Sequence, residues 1–349
     1  MLSKLSVFIS LTLAAVSTLT SPLPEITPER PATFSLAIGG DVLLASTVGE
    51  RIKIQGVNYP WEDAAPFLCQ ADLAIVNLET SVAQGGTAQK NKTYTFRAAP
   101  ETLQGLTTAG VDIVALANNH ILDYGQEGLT ETLDHLNSYQ IQHTGAGHNA
   151  AAAYKSVSKK INDTHFAFLS FSMVVPPGWQ AGAGYPGIAA VHDLEKTLAA
   201  VKTAAQRADF VLVYMHWGIE RQDLPNKPQQ EIARALIKAG ADLVVGCHPH
   251  VLQGIEFYQG VPICYSLGNF VFTNRGLQTT EDTILLLAEA GQSGVRSLQA
   301  VPFEIIKNKP TLVAGSDRER ILKRLARLSA QLGTEITPAG EIKLKTQDP

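Results

Sequence analysis

Short apolar runs of strand length recur along the chain, and segments with helical periodicity separate them. The clearest runs cover residues 34–38, 73–76, 113–117, 166–171, 210–214, 243–245 and 263–266. Helical patterns lie at residues 100–109, 126–137, 194–208 and 229–239. Strands that alternate with crossover helices are typical of layered α/β proteins. The alternation therefore predicts an α/β fold.

The chain has 349 residues, which is enough for one large α/β domain or for two smaller ones. Residues 32–309 contain no convincing linker, so a single domain is predicted there. Within it, residues 283–289 and 301–306 are expected to form antiparallel strands. Residues 310–349 are expected to contain an amphipathic helix at 317–332 and then a polar tail.

The N-terminus has the features of a targeting segment. Lys4 provides a short positive region, and an apolar run interrupted only by Ser and Thr follows it. Ala15 and Ser17 have the spacing that a signal peptidase accepts, but the run is also long enough for a weakly hydrophobic anchor. We predict a signal peptide or N-terminal anchor at 1–21 and a Pro-rich tether at 22–31. The protein is expected to be exported, periplasmic or otherwise extracytoplasmic, and either released or membrane-anchored.

Charge and cysteine content narrow the functional classes. A net charge of -4 and a pI near 6.1 provide no basic surface for phosphates, so nucleic acid is not expected as a partner. The cysteines Cys69, Cys247 and Cys264 are too few for a disulfide framework and form no CxxC zinc pattern. We interpret them as buried free thiols. A disulfide bond between Cys247 and Cys264 is the alternative, and it requires that their strands are neighbours.

Several conspicuous side chains are interpreted as structural. Trp179 and Trp217 are expected in core or loop packing, and residues 176–187 form a Gly/Pro/Ala-rich segment expected as a loop near the cleft. The sequence shows no obvious cationic track for an anionic polymer. We interpret five lysines as part of a solvated face: Lys90, Lys92, Lys155, Lys159 and Lys160.

Polar and metal-binding residue types follow five of the predicted strands, at the point where each strand ends. In open α/β sheets the carboxyl ends of strands line one crevice, so residues distant in sequence share a site there. The clusters are Gly39-Gly40-Asp41, Asn77-Leu78-Glu79, Asn118-Asn119-His120, His216-Trp217-Gly218 with Glu220, and Gly246-Cys247-His248-Pro249-His250.

Each cluster taken alone has a structural explanation. Asp41 after two glycines fits a turn or a helix cap, and a single histidine such as His120 is more often structural than catalytic. The pair His248 and His250 differs, because two imidazoles around a proline at a strand end face one cleft, as a metal ion requires. Together, five clusters at five strand ends predict a metal-binding cleft.

The ordered series G-D, N-L-E, N-N-H with a following D-x-G, H-W-G-x-E, G-x-H-P-H and S-L-G-N-F resembles a known family. It is similar to the calcineurin-like metallophosphoesterases and more closely to their CapA-like relatives (PGA_cap), which are linked to poly-γ-glutamate capsule synthesis. The resemblance covers residues 34–306. It implies a four-layer α-β-β-α sandwich of two mixed sheets flanked by helices, with one or two metal ions between the sheet edges.

The resemblance also implies roles for individual residues. Asp41 and His250 would bind a first metal, and Glu79 would bridge to a second one, which would be held by Asn119, His216 and His248. His120 would be the general acid or transition-state donor. Carboxylate and imidazole ligands suit Mn²⁺, Fe or Zn²⁺ better than Ca²⁺. The residues expected to orient ligands or substrate are Asn77, Asn118, Asp123, Glu220 and Asn269.

Two departures from the family pattern leave alternatives open. Leu43 stands where these phosphoesterases carry the histidine of an Asp-x-His motif, and the bridging position is Glu79 rather than an aspartate. A mononuclear site at Asn119, His216, His248 and Glu79 is therefore the alternative to a binuclear one.

Two functions follow from this resemblance and its departures. The first is a metal-dependent hydrolase or transferase acting on an anionic cell-envelope polymer or a phosphorylated precursor. The second is a non-catalytic, membrane-proximal assembly or export factor that works with other capsule-synthesis components. The missing histidine favours the second function. The retained His120 and the full second-metal set favour the enzyme, because a scaffold has no need for a general acid beside a metal.

Overall fold

Two large β-sheets dominate the part of the chain that the computed structural model describes, which is residues 33–274 and 276–344. In chain order the strands are β1 (Thr33–Val42), β2 (Leu73–Leu78), β3 (Ser81–Val82), β4 (Arg97–Ala98), β5 (Ile113–Ala115), β6 (Gln142–Thr144), β7 (Ala146–Gly147), β8 (Val157–Ile161), β9 (Thr164–Ser172), β10 (Gly187–Ile188), β11 (Phe210–His216), β12 (Leu243–Cys247), β13 (Ile255–Tyr258), β14 (Val261–Cys264), β15 (Asn269–Val271), β16 (Asp282–Gly291), β17 (Gly294–Ile306), β18 (Lys309–Leu312), β19 (Thr334–Ile336) and β20 (Ile342–Leu344). The α-helices are α1 (Ser46–Gln55), α2 (Ala65–Leu68), α3 (Leu103–Thr108), α4 (Gly125–Ser138), α5 (Ala150–Ala153), α6 (Leu194–Ala205), α7 (Lys227–Lys238), α8 (Gln278–Glu281) and α9 (Gly315–Ala330). Short 3-10 helices cover Tyr59–Trp61 and Pro100–Thr102.

Both sheets are mixed. The first has eight strands in the order β18-β17-β16-β1-β2-β5-β6, with β15 paired to β1 outside this path. In it β15, β1, β2, β5 and β6 are parallel, whereas β16, β17 and β18 run antiparallel to their neighbours. The second sheet has the order β13-β14-β12-β11-β9-β8, with four parallel strands inside and an antiparallel strand at each edge.

Apolar side chains on both faces of each sheet set the order of the layers. Between the sheets, Phe34 of β1 packs edge-to-face on Phe210 of β11, with ring centroids 5.5 Å apart. The outer face of the first sheet packs against α1, α3 and α4, and that of the second sheet packs against α6 and α7. Successive side chains of a strand point to opposite faces of its sheet, so each strand can bury apolar residues on both faces. The predicted four-layer α-β-β-α sandwich is confirmed.

Most predicted elements have counterparts in the structure. Strands occur at all seven predicted runs, and β16 and β17 pair antiparallel as expected. The helix predicted at 100–109 is a 3-10 turn followed by α3. The polar tail expected after α9 is wrong for residues 334–344, which form the β19–β20 hairpin. Its residues Ile336 and Ile342 are buried in the core between the sheets, which explains why this segment is ordered.

The predicted targeting segment at 1–21 and the tether at 22–31 lie outside the described residues, as does the end of the chain at 345–349. Across 33–274 and 276–344, no helix has both the length and the apolar character that a bilayer crossing requires.

The three cysteines are all free. Cys247 on β12 and Cys264 on β14 lie buried on adjacent strands without a bond, so the disulfide alternative is not realised. Burial raises the pKa of Cys264 to about 12. Cys69 is exposed, and the prediction that it is buried is wrong.

Gly40 stands where β1 passes closest to the segment before β15. A Cβ on Gly40 would lie 1.9 Å from the carbonyl oxygen of Gly268, which accepts the Asp41 N–H at 3.1 Å. We expect Gly40→Ala to lower the free energy of unfolding by about 2 kcal/mol, because one backbone must move. Urea denaturation measures this. Gly184→Ala is the control, since a Cβ there meets nothing within 4 Å, and equal stability of the two variants would contradict the close packing.

Candidate metal centre

The strand ends of both sheets meet at one edge and gather the predicted site residues. In the first sheet β1 and β2 place Asp41 beside Asn77, and in the second sheet β11 and β12 place His216 beside Cys247. The backbone N–H of His248 donates to Asp41 Oδ2 at 3.1 Å and so joins the two sheets. The strand ends therefore form one buried group of donor side chains.

One part of this group contains Asp41, His250 and Asn269. His250 Nδ1 lies 3.3 Å from Asp41 Oδ2 and 2.8 Å from Asn269 Oδ1. Burial raises the pKa of Asp41, but the hydrogen bond and charge of His250 outweigh it, so the pKa lies below the usual range. Burial lowers the pKa of His250, but the contact with Asp41 outweighs it and the pKa is raised. This part of the group therefore holds an ionised carboxylate.

A second part contains Asn119, His216, His248 and Glu79. His216 Nε2 lies 2.7 Å from Asn119 Oδ1 and 3.6 Å from Glu79 Oε1. The imidazole centroids of His216 and His248 are 4.7 Å apart. Burial first, and then neighbouring histidines, lower the pKa of His216 well below its usual value and that of His248 to about 3. Both imidazoles are neutral at physiological pH, which is the form that binds metals.

Glu79 lies between the two parts, and its carboxyl group makes no hydrogen bond to any of the described residues. Within residues 33–274 and 276–344, neither of its buried carboxylate oxygens has a hydrogen-bond partner, and the buried Nδ1 of His248 has none either. Burial and then the charge of Asp41 raise the pKa of Glu79 well above its usual value. Buried polar atoms are normally paired, and a buried unpaired carboxyl costs about 1–3 kcal/mol or more. A cation between Glu79 and the histidines would satisfy these atoms, so the residues present fit a metal ion.

His120 forms a hydrogen-bonded pair with Asp123 beside this group. His120 Nδ1 is 2.8 Å from Asp123 Oδ2, and its Nε2 is 4.0 Å from Glu79 Oε1. Asp123 also accepts the backbone N–H of Phe96 at 2.7 Å. Burial lowers the pKa of His120, although the hydrogen bond to Asp123 partly offsets it. Nε2 of His120 therefore faces the donor group.

Two asparagines shape the backbone that carries these residues. Asn118 Oδ1 accepts the N–H groups of His120 and Ile121, each at 3.0 Å, and Asn118 Nδ2 donates to the carbonyl of Leu78 at 2.8 Å. Asn77 Nδ2 donates to Asp41 Oδ1 at 2.8 Å. Both asparagines therefore fix the backbone or side chains next to the donor residues.

Comparison with known proteins identifies the family. The family model for the bacterial capsule synthesis protein PGA_cap matches residues 35–274. The PGA biosynthesis protein CapA of Bacillus subtilis (strain 168) is 32% identical over 292 residues, which are 83% of this chain and 76% of that protein. The capsule biosynthesis protein CapA of Bacillus anthracis is 31% identical over 301 residues, covering 84% of this chain and 73% of that protein. This chain belongs to the PGA_cap family.

A solved structure supports the fold of this PGA_cap protein. The structure of a novel phosphatase from Mycoplasma pneumoniae matches with a TM-score of 0.53, covering 79% of this chain and 95% of that chain. The sequences are 14% identical, so the match concerns the fold alone. The PGA_cap chain therefore shares the fold of that phosphatase.

Lys92 of this PGA_cap protein does not lie on a solvated face, and that prediction is wrong. Its side chain is 20% exposed, and Nζ donates to Asp123 Oδ1 and the carbonyl of Asn119. The same Nζ is 2.9 Å from His120 Nδ1 and 5.0 Å from the centroid of the Trp179 ring. Lys92 therefore neutralises Asp123 and fixes the turn that carries Asn119. Its sequence neighbourhood has no periodicity that would have revealed this.

Cys247 is a buried free thiol at a strand end, as predicted, but its contact with the donor residues is not predicted by the sequence. Its Sγ lies 3.3 Å from His216 Nδ1, and the ligand atoms of Cys247, His216 and Asp41 are within 4.8 Å of one another. The position of Cys247 directly before His248 is the sequence feature that could have suggested it. Trp217, by contrast, is fully buried and donates to Tyr265 O at 2.9 Å, as expected for core packing.

Aromatic and charged residues form the mouth of the cleft. Phe96 packs on His120 with ring centroids 4.6 Å apart, and Phe272 packs on His250 at 5.0 Å. Tyr94, Glu220 and Arg221 complete the rim, together with Phe96 and Phe272. Glu220 is exposed, and in the described ranges it makes no hydrogen bond to the donor residues. It therefore borders the cleft, where its charge helps to raise the pKa values of Glu79 and His250.

Proposed function

We propose that this PGA_cap protein is a metal-dependent hydrolase or transferase that acts on an anionic capsule polymer of the poly-γ-glutamate type or on a phosphorylated envelope precursor. The observation that carries the proposal is the unpaired, buried carboxyl of Glu79 between neutral imidazoles and next to His120. A purely structural core would pair or exclude such a group. The polymer is suggested by the names of the CapA relatives from two Bacillus species.

The donor atoms are divided between two candidate positions. Asp41 and His250 would hold one ion, Asn119, His216 and His248 would hold another, and Glu79 faces both. Oxygen and imidazole donors favour Mn²⁺, Fe or Zn²⁺. A bound divalent ion would lower the pKa of a coordinated water toward neutrality and polarise the scissile oxygen. The mononuclear alternative uses the second position with Glu79.

The protein's own side chains would supply proton transfer and orientation. His120 Nε2 faces the donor group and would give a proton to the leaving group, while Asp123 holds Nδ1 at 2.8 Å and so fixes the ring. Lys92 donates to Asp123 and to the carbonyl of Asn119, and so anchors the turn that carries Asn119. The ring of Phe96 covers one face of His120 and limits access of water to it.

The proposed place of action is outside the cytoplasm. This rests on the targeting pattern at residues 1–21, and it fits a polymer of the cell envelope. Membrane-bound capsule-synthesis components are proposed as partners for the same reason. Arg221 at the mouth of the cleft is a cationic group that an anionic substrate would meet on entry.

The proposal is tested by measuring metal content and turnover on one preparation. We expect the purified protein to retain Mn²⁺, Fe or Zn²⁺ and to shorten poly-γ-glutamate or cleave a phosphoester. His248→Ala should lose metal and turnover together, whereas His165→Ala, at an exposed position on β9, should lose neither. A metal-loaded protein without turnover on either substrate class would favour the assembly-factor function. A protein that binds no divalent metal would refute the proposal.

A further inference from the structure

The first candidate metal position lacks a ligand that the related phosphoesterases have. Leu43 occupies the position of the Asp-x-His histidine, and its side chain is fully buried in the core between the first sheet and its helices. The backbone N–H of Leu43 donates to the carbonyl of Val271 on β15 at 2.8 Å. The end of β1 is thus paired with β15, and the ligand cannot come from residue 43.

The pairing with β15 places another oxygen at the same position. Asp41 and Asn269 are register partners in the parallel β1–β15 pair, and Asn269 is 3% exposed. The Nδ1 atom of His250 faces both of them, at 3.3 Å from Asp41 Oδ2 and 2.8 Å from Asn269 Oδ1. Two oxygens from two other segments therefore lie within 3.3 Å of the same imidazole nitrogen.

The orientation of the Asn269 amide is fixed by a second hydrogen bond. Its Nδ2 donates to the carbonyl of Thr280 at 3.0 Å, so the opposite atom, Oδ1, must face His250. The assignment follows from the hydrogen-bond network, because a carbonyl cannot donate to Oδ1. Asn269 is thus preorganised to present a lone pair to the cleft.

We propose that Asn269 is the third protein ligand of the first metal centre, together with Asp41 and His250, in place of the histidine that Leu43 has replaced. This rests on the proposed metal-dependent function. Ligands bound to one ion at about 2.1 Å lie about 3.0–3.4 Å apart; the 3.3 Å from His250 Nδ1 to Asp41 Oδ2 falls in that range, and the 2.8 Å to Asn269 Oδ1 lies slightly below it.

The donor chemistry also predicts the kind of ion. Besides the shared Glu79, the first centre would have a carboxylate, an amide oxygen and one imidazole, whereas the second would have two imidazoles and an amide oxygen. Oxygen-rich sites bind Mn²⁺ and Fe²⁺ in preference to softer ions, and imidazole-rich sites suit Zn²⁺. Asn269 would therefore make the first centre the more selective for Mn²⁺.

Metal stoichiometry and the electron paramagnetic resonance spectrum of Mn²⁺ test the inference without any substrate. We expect the wild-type protein to bind two equivalents with a spin-coupled spectrum. Asn269→Leu should bind one equivalent tightly, weaken the other at least tenfold, and give an uncoupled six-line spectrum. Asn274→Leu is the matched control, because that asparagine donates to Ile305 O outside the cleft, and it should retain both ions.

Asn269→Asp separates a ligand role from a structural one and covers the case in which Asn269→Leu does not fold. Aspartate keeps Oδ1 but loses the bond to Thr280, so a ligand role predicts two equivalents bound as tightly as in the wild type or more tightly. Loss of the first ion from Asn269→Asp, or two unchanged ions in Asn269→Leu, would overturn the inference. If the wild-type protein bound only one equivalent of metal, the role of Asn269 would be overturned and the proposed function would remain. If it bound none, both would be refuted.

Discussion

Glu79→Met is expected to abolish the stabilisation by divalent metal and, at the same time, to make the metal-free protein more stable. In the metal-free state both carboxylate oxygens of Glu79 are buried without a hydrogen bond to any residue that the structure describes. Methionine has similar length and no atom that needs a hydrogen bond, so the metal-free Tm should rise by several degrees, for a gain of about 1–3 kcal/mol. With metal at a thousandfold excess over Kd, the wild type should gain about 4 kcal/mol, and Glu79→Met should gain almost none.

Thermal unfolding with and without Mn²⁺, combined with metal analysis, measures both effects. Glu256→Met is the control, because Glu256 is a buried glutamate with its partners present. It accepts from Arg234 at 2.8 Å and from the Tyr265 hydroxyl at 2.6 Å. We expect Glu256→Met to destabilise the metal-free protein and to leave the gain from metal unchanged. If both variants were destabilised alike without metal, Glu79 would be a paired structural residue.

The pH dependence of the same comparison follows from the pKa of Glu79. Burial and the charge of Asp41 raise that pKa above its ordinary value of 4.5 in the folded, metal-free protein. The folded state therefore binds more protons than the unfolded state above pH 4.5, and stability falls as the pH rises from there through the folded pKa. The advantage of Glu79→Met should be smallest below pH 4.5 and should widen as the pH increases. An advantage independent of pH would show that Glu79 is not protonated in the folded state.

Local sequence patterns were sufficient for the strands and for much of the candidate site. Apolar runs mark strands, and in a parallel sheet the residue after each run lies at a shared edge. Asp41, Asn119 and His216 were therefore predicted together although the chain separates them widely. The four-layer order of the sandwich came from the family resemblance, because periodicity alone does not say which sheet a strand joins.

Residues placed by loops or by register were not predictable in this way. Lys92 and Lys90 are two residues apart in a segment without periodicity, yet Lys90 is exposed and Lys92 contacts Asp123. Asn269 was expected only to orient substrate or ligands, because its position beside Asp41 depends on the pairing of β1 with β15. Such long-range pairing leaves no mark in the local sequence.

If the protein has the proposed hydrolase activity, His120→Asn is expected to lower its rate by about 10²- to 10⁴-fold without loss of metal, since general acid catalysis contributes about that much. Nε2 of His120 is 4.0 Å from Glu79 Oε1, so the ring borders the donor group without belonging to it in the proposed ligand set. His165→Asn is the matched control. His165 makes the same kind of pair, with Nδ1 3.2 Å from Asp209 Oδ2, but lies exposed on β9 away from the strand ends that carry the site. Metal loss from His120→Asn would mean that the histidine is a ligand.

The dependence of this loss on the leaving group identifies the role of His120. The p-nitrophenolate released from a p-nitrophenyl ester is a stable anion and needs little protonation. The leaving group of an alkyl ester or an amide needs a proton in the transition state. If His120 is the general acid, His120→Asn should lower the rate little on the p-nitrophenyl ester. On the alkyl ester or the amide it should lower the rate by the full factor of about 10²- to 10⁴-fold. Asp123→Asn should show the same pattern with a smaller loss, because Asp123 acts by holding Nδ1 of the ring at 2.8 Å. Equal losses on both esters would instead mean that His120 binds the substrate through the transition state without transferring a proton.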